Sequence, residues 1–439
     1  MLALLGFLLT GVLAYPYGAH WDSANVISFV YNDGRPSINN WMGWYYPTLC
    51  FLLYKATGIM HIIGVYQNIL YWSAVAIIYK YGFADTWRSF LLYICFAFSP
   101  LNLFFITDIT NNALLYVNLL FGLAMLILGI NKSQKWWFFV CFLFLLSTMF
   151  IRRDAFFFAI PLLIAVAYFI LKKRYSTRRS LCYSTLFIIS ITSIILCAEK
   201  LYTRQIPGYN KMGSPQYIAV YDMMGMSRIS GQLLWPEDII ATKYVGTDSI
   251  MDFLKTTEGE YNDMVIFNDK GGARFLKSRY YMNPGPVDFL PVYLHNIPTY
   301  IRWRLSVIFK TFSINSILCH DCSGQYGINY PYTGPRPAHL FLVNHLPSIF
   351  KKMLSYALLV ICCFIADACG LIKYKNNVQR SFCHCLIVFA LFGVIVSLTG
   401  ATSPQHRYMA PYIMIILGIY TYLFANNKIL LHTLKAIAK

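Results

Sequence analysis

The stretch ITNNALLYVNLLFGLAMLILGI, residues 109–130, runs for 22 positions without a charged side chain. As a helix it would be about 33 Å long, enough to cross a hydrocarbon core of about 30 Å. It therefore predicts a membrane-spanning helix, and comparable apolar runs recur along the chain. With this stretch they predict about ten spans, and the others lie at 1–15, 59–80, 89–106, 136–151, 155–171, 180–198, 353–372, 382–399 and 408–426.

Residues 42–58, MGWYYPTLCFLLYKATG, are apolar and aromatic but include Lys55. Tryptophan and tyrosine favour the headgroup region of a bilayer, so we interpret this segment as a helix lying at the interface. An eleventh span is the alternative, and it would reverse the side assigned to every later loop.

The composition agrees with a polytopic membrane protein of mainly α fold, a transmembrane helical bundle. The 439 residues are 58% hydrophobic and 12% charged, with a mean hydropathy of +0.52, whereas soluble domains are about 25% charged. The net charge is +18. Because the basic residues are scattered between apolar runs, they indicate topology and do not form a nucleic-acid-binding stripe.

The loop charges predict an orientation with the amino terminus in the cytoplasm. Loops on the cytoplasmic side would then hold 15 Lys and Arg residues, and short loops on the outer side would hold 5. Such a bias is typical of membrane proteins. We therefore expect an integral protein of the bacterial inner membrane, with its unusual polar motifs on the periplasmic or exterior face.

Residues 199–350 have ordinary polarity and carry 12 of the 18 acidic residues. The same orientation makes them a mixed extracytoplasmic domain, in which the amphipathic stretch 297–312 predicts a helix on the membrane surface. The chain thus divides into an N-terminal transmembrane module (1–198, with a first outer loop at 15–58), this domain, and C-terminal transmembrane helices (351–439).

The sequence GAHWDSAN, residues 18–25, places His20 and Asp22 in the first outer loop. Asp22 could cap the helix that the following apolar spacing predicts. It could instead act as a general base that removes a proton from a sugar hydroxyl, with His20 as a substrate contact.

Further polar residues fall in the other outer loops. Arg152 and Arg153 in the RRD motif could snorkel to lipid phosphates, or could clamp a phosphate on a lipid-linked substrate. His406 and Arg407 in SPQHRY could be an interfacial anchor or a second phosphate or sugar contact. Asp108 could cap the helix that follows it or bind substrate.

The sequence lacks the motifs that mark several common nucleotide-binding and catalytic sites. We find no Walker loop, HExxH, GxSxG or GxGxxG motif, so an energy-rich donor would have to be membrane-borne. Most of the 12 cysteines lie in apolar runs, and Cys319 and Cys322 suggest a local disulfide or two free thiols. We therefore predict no structural metal site.

The ordered motifs HWDSAN, NWMGWYYPTLCFLLYKATG, RRDAFFFAIPLL and HRYMAPYIMIILG resemble the arrangement in GT-C superfamily glycosyltransferases. The resemblance covers most of the chain, although no single motif is specific. It implies sugar transfer from a polyprenyl-phosphate donor to an acceptor glycan or lipid-linked glycan, such as cell-envelope polysaccharide or lipopolysaccharide. Some members of the family need a divalent cation and others need none, so a cation is a possible cofactor.

Carried onto this chain, the resemblance implies that Asp22 is the catalytic base of an inverting single displacement. It implies that Arg152, Arg153 and Arg407 contact the lipid phosphate. Two alternatives stay open: a polysaccharide polymerase or ligase of the outer leaflet, and a transporter of lipid-linked glycans. A transporter would favour charged residues at mid-membrane, where only Asp367 stands out.

Overall fold

The computed structural model describes most of the helical segments of the chain. Its described residues are 1–12, 18–19, 26, 30, 44–59, 61–83, 86–152, 155–171, 174–204, 214–257, 272–277, 290–313, 347, 349, 352–372, 374, 377–400 and 409–426.

Helices dominate this described part of the chain. Numbered in chain order, its α-helices are α1 (Leu2–Phe7), α2 (Tyr45–Thr57), α3 (Ile62–Gly82), α4 (Trp87–Ala97), α5 (Pro100–Thr107), α6 (Asn111–Lys132), α7 (Lys135–Ile151), α8 (Phe156–Leu171), α9 (Thr177–Arg204), α10 (Ser214–Ser230), α11 (Ser249–Thr256), α12 (Leu290–His295), α13 (Ile297–Ser313), α14 (Met353–Ala368), α15 (Asn377–Gly400) and α16 (Ala410–Ala425). A π-helical turn, Leu8–Val12, continues α1, and two short strands, β1 (Gly18–Ala19) and β2 (Asp108–Ile109), pair in parallel. The predicted mainly helical fold is confirmed for these residues.

The length and apolar character of three helices, α3, α6 and residues 177–201 of α9, suffice to cross a membrane. The neighbouring pair α4 and α5 would be a fourth if the two form one span. Six shorter apolar helices coincide with other predicted runs. The chain is therefore a helical membrane protein, and the count of ten spans stays a prediction.

The predicted run 89–106 is a single segment in the sequence, but the structure divides it into α4 and α5. The two helices meet at an angle of 44°, and Pro100 is the first residue of α5. Proline cannot donate a backbone hydrogen bond, and it disfavours helical geometry at the preceding residue, Ser99. The break therefore follows from local chemistry.

Helix α2 corresponds to the predicted interfacial segment. Its 13 residues span about 20 Å, which is shorter than the hydrocarbon core of about 30 Å. Gly58 ends the helix in the left-handed conformation, with φ of 71°. This length favours a helix that does not cross the membrane over one that does.

The helical bundle has one end that we call the Lys80 end, defined by Lys80, Gly82, Ser89, Lys132 and Ala425. Ser89 Oγ donates to the Ala425 carbonyl at 3.0 Å, and Asn426 Nδ2 donates to the Gly82 carbonyl at 3.0 Å. These bonds join the end of α3, the start of α4 and the end of α16.

Helix α6 lies at the centre of the large hydrophobic core. Most of its residues are buried, including Leu114, Tyr116 and Leu119, and it packs mainly against α3 and α7. At Gly122 an added Cβ would lie 3.0 Å from Leu145 of α7. The two helices therefore pack closely at that glycine.

A second hydrophobic core joins α10, α11 and α13 within residues 199–350. Asp222 of α10 is almost fully buried and accepts a bond from Arg304 Nη2 of α13 at 2.7 Å. Trp303 Nε1 and the Tyr293 hydroxyl also donate to this carboxylate, at 3.2 and 3.1 Å. The described part of this segment thus has its own core and a buried ion pair.

Helix α13 corresponds to the stretch for which the sequence predicts an amphipathic helix on the membrane surface. Exposed apolar residues recur every four positions along the helix, at Ile297, Ile301, Leu305 and Phe309. The basic residues Arg302 and Lys310, which follow two of them, are also exposed. Arg304 differs, because it is buried against Asp222. The exposed apolar stripe has the pattern of a membrane-facing helix.

Candidate functional site

The end of the bundle opposite the Lys80 end brings together several segments that are distant in sequence. We call it the Arg152 end, defined by Arg152, Gln67, Thr110 and β1 and β2. Gln67 Nε2 at the start of α3 donates to the Thr110 carbonyl at the start of α6, at 3.2 Å.

Aromatic contacts add three further helices to the Arg152 end. The rings of Trp44, before α2, and Phe150, near the end of α7, have centroids 5.5 Å apart. Those of Phe158 in α8 and Tyr412 in α16 are 6.2 Å apart. The starts of α2, α8 and α16 therefore all lie at this end.

The strand pair β1–β2 places the chain before HWDSAN beside Asp108. Gly18 pairs with Asp108 and Ala19 with Ile109. His20 and Asp22 follow β1 directly in sequence but lie outside the described residues. The backbone of Asp108 is thus fixed next to Gly18, two residues before His20 in the sequence.

Arg152 follows the last residue of α7 and has an extended backbone. Its guanidinium Nη1 donates to Oδ1 of Asn112 in the first turn of α6. Asn112 is 1% exposed, and its Nδ2 has no hydrogen-bond partner among the described residues. The guanidinium is therefore directed at a buried side chain of the bundle.

The first turn of α6 is held in place by its cap. Thr110 has an extended backbone, and its hydroxyl accepts a bond from the Ala113 amide at 3.0 Å. A threonine in this position satisfies one of the amides that a helix start leaves unpaired. The remaining amides and the helix dipole make the surroundings of Asn112 electropositive.

The segment before β1 is anchored by a buried polar cluster. Trp72 Nε1 donates to Thr10 Oγ1 at 2.8 Å, and Thr10 Oγ1 lies 2.7 Å from Asn68 Oδ1. Asn68 Nδ2 donates to the carbonyls of Gly64 and Ile106 at 3.0 and 2.7 Å. Together these bonds tie the π-helical turn to α3 and α5.

A second polar group lies one to two turns deeper in the bundle. Asn118 Nδ2 donates to Ser147 Oγ at 2.8 Å, and the Tyr45 hydroxyl contacts both of them and the Tyr66 hydroxyl. Asn118 Oδ1 is buried without a partner in the described chain. These bonds connect α2, α3, α6 and α7 inside the bundle.

Only some of the predicted site residues belong to the part of the chain that the structure describes. Arg152 and the backbone of Asp108 lie at the Arg152 end, whereas His20, Asp22, Arg153, His406 and Arg407 fall outside the described residues. Their sequence neighbours do belong to this end, because Arg153 follows Arg152 and α16 begins three residues after Arg407.

Several amides at this end were missed by sequence reasoning: Gln67, Asn68, Asn112 and Asn118. Each interrupts a predicted apolar run, and a polar side chain within such a run requires a hydrogen-bonding partner or a function. A polar side chain within an apolar run was therefore the feature of the sequence that could have identified these four residues.

Asp367, to which the sequence assigned no chemistry, belongs to another cluster between α14 and α15. Its Oδ2 accepts a bond from the Tyr374 hydroxyl at 2.7 Å and lies 3.0 Å from His384 Nε2. The carboxylate is therefore compensated locally and is separate from the Arg152 end.

No group of three or more His, Cys, Asp or Glu side chains that could hold a metal ion occurs among the described residues. Asp22, the residue that a catalytic cation would have to approach, lies outside them.

Comparison with known proteins gives little guidance. No family model matches the chain, and no curated protein matches its sequence. A structure similarity extends to the ArnT crystal structure from Cupriavidus metallidurans bound to undecaprenyl phosphate. It covers 97% of this chain and 76% of that chain, at 10% identity and a TM-score of 0.31, values too low to carry a conclusion.

Proposed function

We propose that the chain is a membrane glycosyltransferase. It would move a sugar from a polyprenyl-phosphate donor to a hydroxyl of an acceptor glycan or lipid-linked glycan. The observation that carries the proposal is the convergence at the Arg152 end, where the chain entering HWDSAN, the Asp108 strand and a guanidinium beside a helix start meet.

The phosphate of the donor would bind near Arg152. A guanidinium pairs with phosphate oxygens in a bidentate manner, and a helix start favours anions. The unpartnered Nδ2 of Asn112 supplies a further buried donor. Three sources of positive potential at one place favour an anionic ligand over simple snorkelling to bulk lipid.

Asp22 would act as the general base. It lies three positions after Ala19 of β1, and three residues of chain reach at most about 11 Å. The same limit ties Asp22 to the neighbourhood of Asp108, because β1 and β2 are paired.

The proposed reaction is a single displacement. Asp22 takes the proton from the acceptor hydroxyl, whose oxygen attacks the anomeric carbon of the sugar. The bond to the phosphate oxygen breaks, and the polyprenyl phosphate leaves with the bonding electrons. Arg152, with Arg153 and Arg407, would stabilise the charge that develops on this leaving group. The anomeric configuration inverts.

The orientation forms part of this proposal. The Arg152 end would face the periplasm or exterior of a bacterial inner membrane, as the loop charges predict. The polyprenyl donor would reach the site from the outer leaflet.

The test uses membranes or micelles containing the full chain and a panel of radiolabelled polyprenyl-phosphate monosaccharides. Asp22→Asn should abolish transfer, while the matched change Asp33→Asn in the same predicted loop should leave it intact. Membrane insertion and thermal stability should be unchanged in both variants. Near-normal transfer by Asp22→Asn would show that Asp22 is not the general base.

A further inference from the structure

A cavity of about 460 Å³ opens at the Lys80 end, between α3, α6 and the start of α7. Its volume lies within the range of small-molecule sites. Ala76, Ile77 and Leu128 form its apolar part. The site described above lies at the opposite end of the bundle, so this cavity is separate from it.

The polar part of the cavity carries two positive charges. The ammonium groups of Lys80 and Lys132 lie 5.5 and 5.3 Å from the centroid of the Tyr81 ring. The two nitrogens are therefore at most about 11 Å apart, and both lysines are exposed. Flexible lysine stems let both ammonium groups turn toward one phosphate group.

Hydrogen-bonding groups complete the rim of the cavity. Trp137 Nε1 donates to Gln134 Oε1 at 2.9 Å, which leaves the amide nitrogen of Gln134 available to a ligand. An indole beside basic residues is typical of the headgroup level of a bilayer. The cavity thus has an apolar part next to a cationic, hydrogen-bonding rim.

We propose that this cavity binds one anionic glycerophospholipid, with its phosphate between Lys80 and Lys132 and an acyl chain along Ala76, Ile77 and Leu128. Charge complementarity selects an anionic headgroup, because no acidic residue lines the cavity within the described chain. The apolar part selects a lipid over a free anion. The proposal is independent of the glycosyltransferase activity.

The test measures lipid retention by native mass spectrometry of the full chain in detergent micelles. Phosphatidylglycerol and phosphatidylcholine of the same acyl composition are supplied at equal concentration. We expect the protein to retain phosphatidylglycerol preferentially. The preference should fall about fivefold for each lysine removed in Lys80→Gln, Lys132→Gln and the double variant.

The matched control is Lys135→Gln, which removes the same charge three residues from Lys132 but outside the cavity lining. It should keep the full preference. A loss equal to that of Lys132→Gln would overturn the proposal, because general surface charge would then explain the binding.

Two further outcomes would overturn the proposal that the cavity binds an anionic lipid. If the double variant keeps the preference, the lysines do not bind the lipid and the proposal fails. If inorganic phosphate at the lipid concentration displaces phosphatidylglycerol, the site takes a free anion and the proposal again fails. Displacement only by other anionic lipids supports it.

Discussion

Gly6→Ala should disturb the packing of α1 and the π-helical turn against α3 without changing any candidate site residue. Gly6 of α1 is buried against the Trp72 ring of α3, and an added Cβ would lie 2.3 Å from a ring carbon. Ordinary contact begins at 3.4 Å, so the ring would have to move by about 1.1 Å.

The Trp72 ring has little room to move. It is 2% exposed and packs at centroid distances of 5.1 Å against Tyr71 and 5.0 Å against Phe98. Overpacking of this kind costs about 1–3 kcal/mol, and alanine returns up to about 1 kcal/mol of helix propensity. Weakening the bond from Trp72 to Thr10 adds about 1 kcal/mol. We expect a net loss of about 2 kcal/mol.

The same change should slow sugar transfer. Thr10 lies eight residues before β1, and its bond to Trp72 holds the π-helical turn against α3. A displacement of about 1 Å in a catalytic group can cost about a hundredfold in rate. A large loss of activity with a small loss of stability is therefore expected.

The assay is SDS titration of the purified protein for the free energy of unfolding, together with transfer measurements. Gly82→Ala is the control, because its Cβ would have an ordinary 3.4 Å contact with Tyr422. In a double-mutant cycle, Trp72→Phe should relieve part of the Gly6→Ala penalty, because the phenylalanine ring is smaller. The reasoning is refuted if Gly6→Ala matches wild type, or if its penalty is unchanged in the Trp72→Phe background.

Three other predictions test separate parts of the molecule. Arg152→Gln should lower transfer by about 10²–10³ and Arg152→Lys by less, in initial-rate assays; equal rates for Gln and wild type would contradict a phosphate contact. Burial raises the pKa of Asp222 to about 6, so the folded state holds the proton more tightly than the unfolded state. Stability of the α10–α13 core, measured by limited proteolysis, should therefore fall as pH rises from 4 to 7, and Asp222→Asn should flatten this profile. A fluorophore on Phe309→Cys should be quenched by a lipid-soluble quencher and one on Lys310→Cys by iodide, whereas equal quenching would argue against a membrane-facing α13.

The helices were predictable because each depends on a continuous property of the local sequence. The apolar run 155–171 corresponds to α8, Phe156–Leu171, and the run 59–80 to α3, Ile62–Gly82. Hydropathy averages over a window, so it did not register the single proline that divides α4 from α5. The conformational preferences of proline predict such a break in a helix, whereas the average hydropathy of the segment does not.

The tertiary pairings at the candidate site were not predictable from local pattern. Arg152 and Asn112 lie 40 residues apart, and only the packing of α7 against α6 brings them together. The sequence predicted that Arg152 has a special position, but it gave no partner for it. The buried amides were overlooked because hydropathy treats one asparagine in an apolar run as a small interruption.

Arg304 is a second residue whose tertiary partner could not be predicted from the local sequence. In the sequence it resembles Arg302 and Lys310, a basic residue among the apolar residues of one amphipathic helix. The structure buries it against Asp222, which lies 82 residues earlier in the chain. An amphipathic pattern describes one helix alone, and it cannot show that a neighbouring helix supplies a buried counter-charge.

The bond between Ser89 and Ala425 has a consequence for biosynthesis. It joins residues 336 positions apart, and at about 5–20 residues per second a ribosome needs roughly 17–67 s to bridge them. During that interval the surfaces of α4 and α6 that later receive α16 must be covered by lipid or by a membrane chaperone. A nascent chain stalled before residue 410 would present an incomplete bundle to quality-control proteases, although most of its apolar helices had already been inserted.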